Sequence, residues 1–253
     1  MHFCSRKEER MATNYVFKRI EKKYLMTKEQ HEALLKKIAP YMTRDQYGLH
    51  TICNLYFDTD AFDLVSRSIE KPVYKEKLRI RSYGIPKADS TVFIELKKKY
   101  KGIVYKRRIE TTLSQAQAFL TGQYQAVQDE QIAREIQYFL EFYHAYPRVY
   151  IAYDREAYYC EEDDNLRMTF DRNIRSRQND LFLEAGDDGD LLLEDGMRLL
   201  EIKAAGAVPL WLADALSELK IYPASFSKYG NVYKQMRRKE KMEELHSEEK
   251  ALA

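Results

Sequence analysis

Cysteine is scarce: the 253-residue chain holds only Cys4, Cys53 and Cys160, an odd number with no metal-ligand spacing. That argues against a disulfide framework and fits a reducing, cytoplasmic compartment. His2, His31, His50, His144 and His246 form no metal motif either, and the one tryptophan, Trp211, reads as a packing anchor on a helix. There is no glycine-rich phosphate loop of the Walker type and no Ser, His and Asp arrangement for nucleophilic catalysis. No run approaches the roughly 20 apolar residues of a membrane span, and the opening MHFCSRKEERMATNY lacks a signal-peptide core. The formal net charge is only +2, so bulk electrostatics call for neither nucleic acid nor direct membrane insertion. Any anion site must come from local clustering of Lys and Arg.

What the chain does have is charge in alternation. Charged residues make up 32% and hydrophobic residues 45% of it, the balance of a globular protein with many ionic side chains. Period-two alternation predicts strands at 15–25, 50–58, 76–83, 91–99, 103–111, 148–159, 166–174 and 198–204, with a shorter one near 181–184. Helical patterns occupy 28–39, 114–121, 129–144, 208–219 and 228–245, with Thr27, Ser114 and Ser225 or Ser227 as N-caps. Residues 1–13 read as a disordered polar leader with Met11 an alternative start, 14–235 as a single domain, and 236–253 as a charged helical tail. Asp187 to Asp190 reads as a flexible acidic loop.

The polar faces of these strands are unusual. Lys77, Arg79 and Arg81 share one face of their strand, opposite Leu78 and Ile80. Glu95, Lys97 and Lys99 oppose Val92, Ile94 and Leu96. Arg19, Glu21 and Lys23 share a face, as do Lys106 and Arg108, Tyr153 and Arg155, Arg167, Thr169 and Asp171, and Glu201 and Lys203. For any one strand, a sheet with one face in water explains this. As a set, the faces carry Lys, Arg and Glu where solvent faces carry Thr, Ser and Gln. Five helices are also available to cover the apolar sides. An α+β fold follows: a closed antiparallel β-barrel with a charged interior and helices packed outside. Charges in such a bore must stay wet, pair or hold an anion, because desolvation costs several kcal/mol per ion. Arg and Lys suit phosphate, and Glu suits Mg²⁺ or Mn²⁺ bridging phosphate oxygens.

The residues Phe17-Lys18-Arg19-Ile20-Glu21-Lys22-Lys23-Tyr24-Leu25, Asn54-Leu55-Tyr56-Phe57-Asp58-Thr59, Lys77 to Gly84, Phe93 to Lys97, Leu200 to Lys203 and Phe226 to Tyr229 resemble the vacuolar transporter chaperone (VTC) polyphosphate polymerase domain in its bacterial form, over roughly 15–235. The resemblance implies the eight-stranded tunnel of the triphosphate tunnel metalloenzymes. It implies transfer of the γ-phosphate of ATP to a growing polyphosphate chain, with Mn²⁺ or Mg²⁺ as cofactor. It further implies that Lys23, Arg79, Arg81, Lys97, Lys106, Arg155, Arg167 and Lys228 lie on phosphates, with Arg19, Tyr153 and Ser227 also binding substrate. Glu201 becomes the metal ligand, with Glu95 and Glu21 as further candidates. Partners are then ATP, polyphosphate or pyrophosphate, with a membrane protein as a candidate associate. Many tunnel enzymes carry Glu-x-Glu-x-Lys on the first strand, where this chain has Arg19-x-Glu21-x-Lys23. Losing that carboxylate leans away from the alternatives of a triphosphatase and toward the polymerase branch; a module that binds polyphosphate or inositol polyphosphate without turnover is a third reading.

Overall fold

The computed structural model describes residues 19–123 and 130–252, so the expected leader lies outside the described residues, as does the side chain of Arg19. Eight strands form one antiparallel path: β1 (Arg19–Met26), β3 (His50–Asp58), β4 (Tyr74–Tyr83), β5 (Thr91–Tyr100), β6 (Ile103–Thr112), β7 (Tyr146–Tyr159), β8 (Arg167–Arg177) and β10 (Arg198–Ala205). Their spatial order is β1-β10-β8-β7-β3-β4-β5-β6; the two-residue β2 (Thr43–Arg44) and β9 (Asp190–Leu191) pair with β7 and β8. The helices are α1 (Lys28–Ile38), α2 (Asp63–Ile69), α3 (Leu113–Leu120), α4 (Glu130–Tyr143), α5 (Leu210–Glu218) and α6 (Lys228–Leu252).

The sheet curls but is not closed by hydrogen bonds. Strands β1 and β5 stand six steps apart in the path, about 29 Å if the sheet were flat. Yet Glu21 and Lys23 of β1 act electrostatically on Lys97 of β5, so the two ends bend round toward each other. The expected closed barrel is corrected to a curled sheet whose edges, β1 and β6, share no ladder among the described residues.

The alternating apolar faces of the strands pack outward, under helices. Leu78, Ile80, Ile94 and Leu96 meet Ala116 and Phe119 of α3 and Ile136 and Phe139 of α4. Tyr24, Met26, Met168, Leu200 and Ile202 meet Leu34 and Ile38 of α1 and Leu212 and Leu216 of α5. Each such fully buried Leu or Ile stabilises the fold by about 1.5–3 kcal/mol. Helix α1 starts where a capping box forms: Gln30 N–H donates to the Thr27 hydroxyl, and Thr27 N–H to the Gln30 side chain.

One helix departs from the expectation that all pack outside. Phe226, just before α6, and Tyr229, Val232 and Met236 of α6 join Ile52, Tyr56, Ile151, Tyr153 and Leu199. These strand residues alternate with the outward-facing ones, so α6 lies along the inner face. Its apolar side fills part of the hollow, which the sequence pattern had assigned wholly to charges. The expected tail from residue 236 is a continuation of the same helix. Other boundaries also shift. Ser114 lies inside α3, which is capped by Thr112 instead. Residues 181–184 form no strand, because Arg177 holds that loop by donating to the carbonyls of Asp180, Phe182, Gly186 and Asp188. The acidic loop is pinned as well, with Asp187 paired to Arg175 at 2.5 Å.

Gly189 in this loop has φ +153°, and a Cβ there would stand 2.7 Å from the Ser176 carbonyl oxygen. Gly189→Ala is therefore expected to cost about 1–3 kcal/mol, read as a lower denaturation midpoint at unchanged slope. An unchanged midpoint would show that the loop shifts freely.

Candidate phosphate-binding hollow

The inner face gathers the charged rows into three groups. In the first, β4, β5 and β6 stand in register, with Arg79 opposite Glu95 and Glu95 opposite Arg108. Arg79 Nε donates to Glu95 Oε2 at 2.8 Å, and Arg108 binds Oε1 at 2.5 Å. Arg81 reaches the same carboxylate at 3.5 Å. Burial alone would raise the pKa of Glu95, but Arg79 and Arg108 outweigh it and hold the carboxyl below the usual range. Arg79 also donates to the Tyr56 hydroxyl at 3.1 Å, and Arg81 to Asn54 Oδ1 at 3.3 Å. One carboxylate thus steadies three arginines.

The second group joins β7, β8 and α6. Asp171 is fully buried. Arg155 grips it with two hydrogen bonds, 2.6 and 2.8 Å, and Lys228 from the first turn of α6 adds another at 2.5 Å. Burial raises the Asp171 pKa, yet Lys228 and Arg155 bring it down to about 2. Tyr153 lies beneath both cations, its ring 5.0 Å from Arg155 and 4.2 Å from Lys228. Ser227 accepts from Gly230 N–H at 3.2 Å, so its hydroxyl caps α6. The positive helix end is thereby aimed into the hollow beside Lys228.

The third group is rich in lysine. Lys23 donates to the Phe226 carbonyl at 3.1 Å and lies 3.6 Å from Glu21. Glu201 is paired with Lys203 at 3.1 Å. Burial raises its pKa, but Lys203, Lys23, Lys228 and Arg155 hold it at about 2. Next to these stand Lys77, Lys97 and Lys106, opposite one another on β4, β5 and β6. Lys97 keeps exposed surface, yet the walls around it lower its pKa by desolvation, with Lys106 and Lys23 adding to this against Glu21. Water therefore reaches this group of lysines. Lys77 falls to about 8, from desolvation first and then Lys75, Lys97 and Lys23.

The structure therefore brings together most of the residues expected from the sequence. Lys23, Arg79, Arg81, Lys97, Lys106, Arg155, Lys228, Glu21, Glu95, Glu201 and Tyr153 all turn to the inner face. Arg167 stands exposed toward one end, in register with Lys203. Sequence reasoning passed over Lys77, Arg108 and Asp171. The signal for Lys77 was its place two residues before Arg79 on one face; for Asp171, its place beyond Arg167 and Thr169. Glu95 serves in this structure as the arginines' counter-charge.

A metal ion fits this donor set in one way. Among the described residues no three His, Cys, Asp or Glu side chains converge to hold a metal. Glu201 stays ionised and faces the hollow, so it suits an ion that takes its remaining ligands from phosphate oxygens and water.

Lys77 gives a pH test. With its folded pKa near 8, below the unfolded value, protonating it costs the unliganded fold stability below pH 8; that cost is relieved as pH rises through 8 toward the unfolded value of about 10.4. A bound phosphate chain favours the charged form. Binding of tripolyphosphate near pH 8 should therefore take up protons, seen by calorimetry in buffers of different ionisation enthalpy. Lys77→Met should reduce that uptake, Lys97 being lowered as well, and equal uptake in the variant would remove Lys77 from the site.

Comparisons with known proteins bear on the family and the fold. The VTC domain family model matches residues 18–237. A solved structure described as a candidate adenylate cyclase from Bacillus halodurans is similar, with TM-score 0.51 and 15% identity over 82% of this chain and 92% of that one. A like-described protein from Vibrio parahaemolyticus gives TM-score 0.46 at 12% identity, covering 86% and 98%. A candidate adenylyl cyclase from Hippeastrum, described as having a dominant triphosphatase activity, gives 0.45 at 17%, covering 83% and 93%. No curated protein matches. No described helix is long and apolar enough to cross a membrane. With the family model spanning nearly all of the curled sheet and the start of the inner helix, the chain belongs to the VTC domain family.

Proposed function

We propose that the chain is a polyphosphate polymerase that moves the γ-phosphoryl group of ATP onto the end of a polyphosphate chain. The observation that carries this is the excess of inward-facing cations over carboxylates, drawn from β1, β4, β5, β6, β7 and α6 into one hollow. Phosphoryl transfer needs chiefly alignment and charge neutralisation. Arg79 and Arg81, held by Glu95, Tyr56 and Asn54, present guanidinium groups with fixed orientation. Arg155 and Lys228 are oriented by Asp171. Lys23, Lys77, Lys97 and Lys106 supply point charges for further phosphates. In the transfer, a terminal oxygen of the acceptor chain bonds to the γ-phosphorus. The bond from that phosphorus to the bridging oxygen breaks, and ADP leaves with the oxygen. A divalent ion, Mn²⁺ or Mg²⁺, would be held by Glu201 with Glu21 nearby and would neutralise phosphate charge.

The purified chain incubated with ATP and Mn²⁺ should yield long polyphosphate on a gel. Release of ADP and free phosphate alone would make it a triphosphatase. Micromolar binding of polyphosphate with neither activity would make it a binding module. The Arg19 position supports the first reading over the second, since it places a cation where hydrolytic relatives of the tunnel fold carry a metal-binding carboxylate.

A further inference from the structure

On the back of the sheet, opposite the hollow, two arginines lie side by side, each with its Nε unpartnered among the described residues. The β8–β10 ladder pairs Asp171 with Leu199. Arg172 and Arg198 are the next residues along each strand, so they turn to the outer face when Asp171 and Leu199 turn inward. Arg198 is 9% exposed and spends one donor on the neighbouring Met197 carbonyl at 3.1 Å. Its Nε, and that of Arg172, are buried with no hydrogen-bond partner among the described residues. The third orphan is Nε2 of His31 on α1, whose ring sits 4.6 Å from that of Phe170.

Sealed, unpaired polar atoms cost about 1–3 kcal/mol each, and three in one cluster call for a physical cause. Carboxylates do stand nearby, but each has other partners: Asp154, opposite Arg172 on β7, accepts from Thr51, Asn173 and Arg175. Glu156 accepts from Arg44 at 2.8 Å, Glu32 pairs with Lys28 at 4.0 Å, and Asp195 accepts from Gly196 N–H at 2.8 Å. Burial lowers the pKa of Arg198, and Arg172 lowers it further. Burial lowers that of His31 as well; Glu156 opposes the shift, while Arg198 and Arg172 add to it. The ring is thus neutral at neutral pH.

We propose that Arg172, Arg198 and His31 form a second anion site, outside the hollow, for a phosphate-class oxyanion. Two adjacent guanidinium groups carry charge +2, which a divalent oxyanion with three or four acceptor oxygens balances in full, whereas a monovalent carboxylate could bridge them but leaves one charge uncompensated. Arg172 is half-buried, so part of its side chain reaches the surface and gives the ion a way in. The site lies back to back with Asp171, and it stands whether or not the hollow makes polyphosphate.

The test uses the full chain carrying Arg79→Ala and Arg81→Ala, which weakens the hollow. Inorganic phosphate should still bind by calorimetry and raise the melting temperature. Adding Arg172→Gln should remove one bound phosphate per chain and leave the phosphate-free melting temperature unchanged or higher, because a repulsion and an orphan donor are gone. An unchanged phosphate stoichiometry, or acetate binding as tightly as phosphate, overturns the proposal. So does a fall in phosphate-free stability without any change in phosphate binding, which would make the pair structural. Should Arg172→Gln fail to fold, His31→Gln decides: at least a tenfold loss of phosphate affinity supports the site, and none refutes it.

Discussion

Replacing Asp171 with Asn should lower the unfolding free energy by about 3–5 kcal/mol, the loss typical when one partner of a buried ion pair is removed. Asp171 is fully buried, and its carboxylate is the shared counter-charge of Arg155 and Lys228. Without it, two cations on β7 and α6 face each other in a poorly solvated place. Tripolyphosphate should restore more stability to the variant than it adds to the parent, since phosphate oxygens can take over the missing charge. Thermal melts with and without tripolyphosphate read both effects. The acid limb follows from the same pair. The folded pKa of Asp171 is near 2, below the unfolded value of about 3.9. Its contribution of about 2–3 kcal/mol is present above pH 4 and is lost as pH falls toward 2. Asp171→Asn should flatten that part of the stability curve. Glu201, also held near 2, keeps some slope in the variant. An Asp171→Asn protein as stable as the parent would mean that the triad is not formed.

The second large effect falls on activity. Arg79→Ala or Arg81→Ala should cut turnover by about 10²–10³-fold, the usual loss for one preorganised donor to transition-state charge. The fold should survive, because Glu95 keeps Arg108 and whichever of the two arginines remains. Melting without ligand should be unchanged or slightly higher, as the hollow loses excess positive charge. Loss of folding in the absence of phosphate would instead make these arginines structural.

Much of this arrangement was legible in the strands. Arg79 and Arg81 alternate with Leu78 and Ile80, and that alternation alone fixes which side chains share a face. His50–Asp58 was bounded correctly because its apolar run ends at Asp58, whose side chain accepts from Leu64 and Val65 N–H and turns the chain into α2. That helix itself was missed: it has seven residues and no side-chain cap, too short for a helical period to show. Curvature and closure were not legible either. Periodicity assigns residues to a face but does not say how far a sheet bends or whether its edges meet. The placement of α6 was hidden for a related reason. Phe226, Tyr229, Val232 and Met236 form an apolar stripe that fits an outer surface as well as an inner one. Asp171 was seen on the correct face but passed over, since its function lies in pairing across to Lys228, 57 residues away in sequence.

A crystal structure with tripolyphosphate and Mn²⁺ bound tests the central claim most directly. Phosphate oxygens should lie within hydrogen-bond reach of Arg79, Arg81, Arg155 and Lys228, with Glu95 released from at least one arginine. Tripolyphosphate that leaves those four side chains on their carboxylates, and settles elsewhere on the protein, would contradict the account.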